Sequence, residues 1–241
     1  MIVAGSDVRP QAAELRERRS RIADAVGVGE VALIASAPAP RRSTRFRQTN
    51  EFFYATGLEV AGAYVLIDGA GLTTVYLPHR DEHRERSEGP SLWAEDVDLV
   101  QELSGADRVS PVEDLPTELA RRLFRGRLTV HTPFSPAEGE RETRDVLLGG
   151  TAARLADPLG RRDTDGGLRA ALGSSFPSAA VQDLTPVLDE LRLGKSASEL
   201  AAMREAGRLT GLAVIEAMRS TEPGLFEYEL SAVAEIGRAH V

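Results

Sequence analysis

From Arg9 to Val26 the apolar positions Leu15, Ile22 and Val26 recur at helical spacing among arginines and glutamates, which predicts a surface helix with one narrow buried stripe. Glu30 leads into Val31-Ala32-Leu33-Ile34-Ala35, an unbroken apolar run that fits a strand buried on both faces. Ala63 to Ile67 and Leu72 to Leu77 are β-prone runs separated by Asp68-Gly69-Ala70-Gly71, whose glycines suit a hairpin connection. Helices are expected over Asp96–Leu103 and Leu115–Phe124, and a short strand over Arg127–His131. Between Thr132 and Ser175 the chain is rich in Gly, Pro and charge, with one short helix expected at Leu168–Leu172. After Pro177, Asp183-Leu184-Thr185-Pro186 offers a cap residue and a first-turn proline, with Val187, Leu188 and Leu191 as the apolar face. Ser196-Ala197-Ser198-Glu199 fits a capping box opening a long helix that carries Leu200, Met203, Ala206, Thr210, Ala213 and Ala217 along one stripe and stops before Pro223-Gly224. The alternation of helices and strands predicts an α/β fold, with a domain boundary near Pro177 to Gln182.

Composition narrows the class. The 241 residues are long enough for one or two domains, and 42% hydrophobic with 27% charged residues excludes a disordered chain and a membrane bundle. A net charge of -8 repels a phosphate backbone, so nucleic acid is not an expected partner. The absence of cysteine removes thiolate metal sites and cysteine nucleophiles and suits a reducing compartment, so the expected location is cytoplasmic. No basic, apolar leader opens the chain and no apolar run approaches the roughly 18 residues of a membrane span, so neither export nor membrane embedding is expected.

Candidate chemistry is sparse. Histidine occurs only at 79, 83, 131 and 240. His79 and His83 would share a face if helical, as metal ligands require, but Pro78 and the preceding strand argue for a polar loop. His131 reads as a structural histidine at a strand end. No phosphate loop, nucleophile elbow or dinucleotide fingerprint is present. Arg41, Arg42, Arg45 and Arg47 form the one dense basic cluster, read as a solvated loop, with binding of an anion or of a neighbouring domain's acids as the alternative. Trp93, the single tryptophan, reads as a core or interface residue. No catalytic centre is visible in these residues by direct reading.

Phe46-Arg47-Gln48-Thr49-Asn50-Glu51-Phe52-Phe53-Tyr54-Ala55-Thr56-Gly57 resembles a stretch of the N-terminal domain of the aminopeptidase P (Xaa-Pro aminopeptidase) family. Lys195-Ser196-x-x-Glu199-Leu200-x-x-Met203-Arg204-x-Ala206 resembles the first helix of that family's catalytic domain, and Pro223-Gly224-x-x-Glu227-Tyr228-Glu229-Leu230 the turn and helix that follow. The chain departs from the family where Glu59-Val60 replaces Glu-Pro, and a Glu-x-Trp-x-Gly pattern is matched only loosely around Glu88 and Trp93.

The resemblance implies a creatinase-type N-terminal domain, a mixed sheet flanked by helices, over residues 1–180, and the truncated start of a pita-bread peptidase domain over 181–234. It implies that the parent protein is a metal-dependent aminopeptidase that releases the N-terminal residue from peptides with proline second. Two manganese ions would be held by two Asp, one His and two Glu, all downstream of the Pro-Gly-x-x-Glu segment, so no catalytic, metal or cofactor-binding residue is expected in this chain. The N-terminal domain would narrow access to the active site, with Trp93 as the substrate-access candidate, and would help the full-length protein form a homo-oligomer. A non-catalytic binding or assembly module, or a creatinase- or prolidase-type hydrolase, are the alternatives. The terminal Glu235-Ile236-Gly237-Arg238-Ala239-His240-Val241 departs from the helix expected there and back-translates as GAG ATC GGA AGA GCA CAC GTC, resembling a common sequencing adapter; residues 235–241 are therefore expected to be an adapter-derived tail and the reading frame to be truncated.

Overall fold

The computed structural model describes residues 10–38, 46–134 and 167–239, which divide into two compact units, with the chain passing from the first to the second between Leu193 and Gly194. In the first unit, α1 (Ala12–Val26), α2 (Asn50–Thr56), α3 (Glu82–Glu88), α4 (Val97–Ser104), α5 (Leu115–Arg125), α6 (Gly167–Ser175) and α7 (Thr185–Leu193) surround strands β1 (Val31–Ala35), β2 (Tyr64–Asp68), β3 (Thr73–Leu77), β4 (Arg108–Pro111), β5 (Thr129–Thr132) and β6 (Ala180–Asp183). The six strands form one mixed sheet in the order β4-β3-β2-β1-β5-β6. β1 and β2 pair antiparallel, as do β2 and β3, while β1 with β5, β3 with β4 and β5 with β6 are parallel.

Strand alternation explains why β1 carries no polar residue. Ala32 and Ile34 join Val65, Ile67, Val75 and Leu77 in a core under α1, α2, α4 and α7, whereas Val31 and Leu33 join Leu66, Tyr76, Leu119 and Val130 in a second core under α5 and α6. The mixed sheet flanked by helices is thus the expected α/β fold. α1 buries the expected Leu15, Ile22 and Val26 together with Arg18 and Arg19. The Arg19 guanidinium donates to the carbonyls of Ala55, Ser104 and Gly105, so it caps the C-terminal ends of α2 and α4 at once. Burial pushes its pKa down to about 10, with Asp107 acting in the opposite direction.

Several sequence expectations shift. The segment after Pro78, read as a loop, contains α3, because the Asp81 carboxylate accepts the His83 and Arg84 N–H groups and starts a helical turn. The compact first unit runs past the boundary expected near 177–182, since β6 pairs with β5 and Leu184 and Leu188 are buried in the first core. Arg41, Arg42 and Arg45, like most of the stretch from Thr132 to Ser175, lie outside the described residues.

The second unit takes in the chain from Gly194 onward, together with Pro10, and contains α8 (Ala197–Ser220) and α9 (Glu227–Ala239). The Ser196 capping box is present in both directions, with Glu199 N–H donating to Ser196 Oγ and Ser196 N–H to the Glu199 carboxylate. Of the expected α8 stripe only Ala213 is fully buried, and Met203 is 56% exposed. α9 continues through residues 235–239, where a single glycine costs a helix only about 1 kcal/mol.

Candidate functional site

The motif over residues 46–57 is built to hold backbone. Gln48 Oε1 accepts from Ala37 N–H at 2.7 Å and Thr49 N–H at 2.9 Å, while Nε2 donates to Val60 O at 2.8 Å and Leu58 O at 3.3 Å. Thr49 caps α2 by accepting from Phe52 N–H and donates its own hydroxyl proton to Ala35 O at the end of β1. At the other end of the helix Thr56 donates to Phe52 O and accepts from Leu58 N–H, and Gly57 takes the left-handed conformation at φ 67°. Phe52 is fully buried. Tyr54 stacks under the Arg18 guanidinium and donates to Leu191 O, and Glu51 pairs with Arg192, so the motif also anchors α7. Gln48, Thr49, Glu51, Tyr54 and Thr56 therefore serve the junction of β1, α2 and α7.

Beyond β3 the chain forms the segment that carries Trp93. Ala94 N–H donates to Pro78 O at 3.0 Å, closing the segment's base, and the Asp96 carboxylate accepts from Trp93 N–H at 3.0 Å. Arg80 binds Asp96 at 2.6 Å and Glu85 at 3.2 Å, and its own N–H donates to Glu95. His79 Nδ1 lies 2.7 Å from Glu95, with Glu113 beyond its other nitrogen at 3.9 Å. The Glu95 bond raises the His79 pKa above its usual value, and the same bond lowers that of Glu95. Trp93 itself is 2% exposed, and its indole Nε1 is a buried donor with no partner among the described residues. It forms part of the interior, as a lone indole was expected to. The ionic network around Arg80 was not read from the sequence; the signal available was the dense alternation of charge over residues 79–86.

Among the described residues the histidines lie apart from one another. His79 is tied to carboxylates in the loop, His83 occupies the first turn of α3, and His131 pairs through Nε2 with Glu30 across β1 and β5. Among the described residues no group of three or more His, Asp or Glu side chains could hold a metal ion. No helix among them is long and apolar enough to cross a membrane.

Residues 15–131, which hold the motif, the Trp93 segment and five of the six strands, match the family described as "Aminopeptidase P, N-terminal domain". The chain carries an aminopeptidase P N-terminal domain. It is 30% identical over 225 residues to the Xaa-Pro aminopeptidase of Escherichia coli K12, a match covering 90% of this chain and 46% of that protein. Among solved structures, E. coli aminopeptidase P with the inhibitor Pro-Leu matches with a TM-score of 0.67 and 26% identity, covering 95% of this chain and 49% of that one. A zinc-substituted form of the same E. coli enzyme in complex with product gives the same values. The chain thus spans about half the length of the relatives it matches.

Proposed function

We propose that this chain is the front portion of a metal-dependent Xaa-Pro aminopeptidase, which hydrolyses the bond between an N-terminal residue and a following proline. The first unit is the accessory domain, and α8 and α9 are the opening helices of the pita-bread peptidase domain. What carries this reading is the placement of three landmarks, the 46–57 motif, the Ser196 capping box and the Pro223-Gly224 turn, in family order along a chain similar over nine-tenths of its length to an Xaa-Pro aminopeptidase. The relatives' metal use, visible in the zinc-substituted E. coli enzyme, supports a dinuclear site in the parent protein, for which manganese is the proposed ion. The described residues do not fit such a site, so its ligands are assigned to the part of the relatives' length that this chain does not span. Trp93 acts in this reading by holding the 78–96 segment in shape at the access side, because its ring is buried rather than presented to peptide. The full-length protein is proposed to be cytoplasmic and to associate with copies of itself.

The test compares the 241-residue chain with one extended by the downstream reading frame, each loaded with manganese and assayed on a peptide with proline second. Cleavage by the extended protein and none by the shorter chain is expected. Cleavage by the 241-residue chain overturns the assignment of the metal site, and a folded, extended protein without cleavage favours a binding or assembly module.

A further inference from the structure

At the end of the sheet opposite the Trp93 segment, the loops leading into the parallel neighbours β1 and β5 meet the β2–β3 turn. There the structure forms a cavity of about 380 Å³ whose lining includes Asp68, Glu118, Arg121, Arg122, Arg125 and Arg127. Its charge contrasts with a chain of net charge -8: four arginines face two carboxylates. Both carboxylates are already engaged. Arg122 binds Asp68 through Nη1 and Glu118 through Nε, and Arg121 takes the other oxygen of Glu118 at 2.9 Å. Arg125 and Arg127 have no ion-pair or hydrogen-bond partner among the described residues, and both are exposed.

Two arginines without a partner among the described residues line one cavity together with a paired Arg122, which makes a site for a dianion. Compensation of the α5 dipole accounts for Arg125 in the last turn but not for Arg127, which lies beyond the helix on the loop into β5. A single carboxylate would satisfy one of the two guanidinium forks, whereas a phosphate group offers three oxygens and a charge that matches both. The volume is in the usual range for a small-molecule site. We infer that the cavity between α5 and the β1 and β5 loops binds a phosphate-bearing small molecule through Arg125 and Arg127. The strands place it about 16 Å from the Trp93 segment, so it is a site distinct from peptide access and does not depend on the peptidase reading.

Inorganic phosphate and pyrophosphate are titrated into the 241-residue chain by calorimetry at constant ionic strength set with potassium chloride. Saturable binding is expected, weakened at least about tenfold in the Arg125→Ala/Arg127→Ala variant, as loss of a charge-assisted hydrogen bond implies. Both positions are exposed, and a circular dichroism melt unchanged from the parent confirms that the variant folds. Phosphate-induced shifts of the Val31 and Val130 amide signals, followed by NMR, provide a second readout that places binding at this end of the sheet. No saturable binding up to about 10 mM, binding equal in the folded double variant, or amide shifts confined to other parts of the chain overturns the proposal.

Discussion

Gln48 makes four hydrogen bonds with one amide, and all four partners are backbone groups of segments that would otherwise end in a buried corner. A glutamine side chain can satisfy two donors and two acceptors at once, which no aliphatic residue of the same size can. Gln48→Leu is therefore expected to lower stability by about 3 kcal/mol, read as a shift in the urea midpoint, because buried N–H and C=O groups are left without partners. A change below about 0.5 kcal/mol, ordinary for a surface position, would show that the junction re-forms its bonds without this amide. His79 and Glu95 offer a pH test of the segment that carries Trp93. With His79 raised, its share of the pair's contribution is present below the ordinary histidine value of 6.5 and fades as pH rises through the higher folded value. With Glu95 lowered, its share is present above the ordinary 4.5 and is lost as pH falls through the lower folded value, so the pair is fully formed between those two reference values. Both groups are exposed, so the effect on global stability is small. An NMR titration of the His79 ring should give a midpoint above 6.5 that moves back toward it in Glu95→Gln; an unmoved midpoint would separate the two residues in solution.

Elements with a strong local pattern were legible in the sequence, and those made by long-range pairing were not. The unbroken Val31–Ala35 run reported burial on both faces, the Asp68–Gly71 turn reported the hairpin, and Ser196 with Glu199 reported the start of α8. β4 and β6 are four-residue strands at the two edges of the sheet, defined by pairing with β3 and β5 rather than by any apolar run of their own. α3 has no apolar stripe and owes its existence to the Asp81 cap. The basic cavity was equally hidden, because Asp68 and Arg122 are 54 residues apart and meet only through the packing of α5 on the sheet. The hairpin turn approaches the loop before β1 closely: Gly69 N–H donates to Glu30 O, and a Cβ on Gly69 would fall 1.7 Å from the Gly27 carbonyl oxygen. Backbone cannot yield that distance locally. Gly69→Ala should cost about 1–3 kcal/mol by overpacking, measured by thermal or urea unfolding, whereas Gly71→Ala, where a Cβ meets nothing within 4 Å, isolates the cost of the positive φ alone. Equal losses at the two positions would argue against the close approach.

At the scale of the whole chain, the two units differ in how completely their apolar residues are covered. The first has a core on each face of its sheet, with Val31, Leu33, Ile67 and Leu77 fully buried. In the second, Met218 is 71% exposed, Tyr228 69% and Phe226 63%, and Val214 and Ile215 are also open to solvent. An amphipathic helix gains most of its stability from the partners of its apolar face, and propensity alone leaves isolated helices marginal in water. The relatives extend to about twice the matched length, and in the proposed reading that additional length covers these side chains. Amide exchange resolves the two units in one experiment. Amides of β1, β2 and β3 should exchange at rates set by global unfolding of the first unit, while those from Ser196 onward should exchange much faster, through local opening of α8 and α9. In the chain extended by the downstream reading frame the same α8 amides should become protected, with the rates in β1 to β3 unchanged. Protection of α8 equal to that of β1 in the 241-residue chain would mean that the exposed Met218, Phe226 and Tyr228 need no further partner, and the reading of these helices as the start of a larger domain would fail.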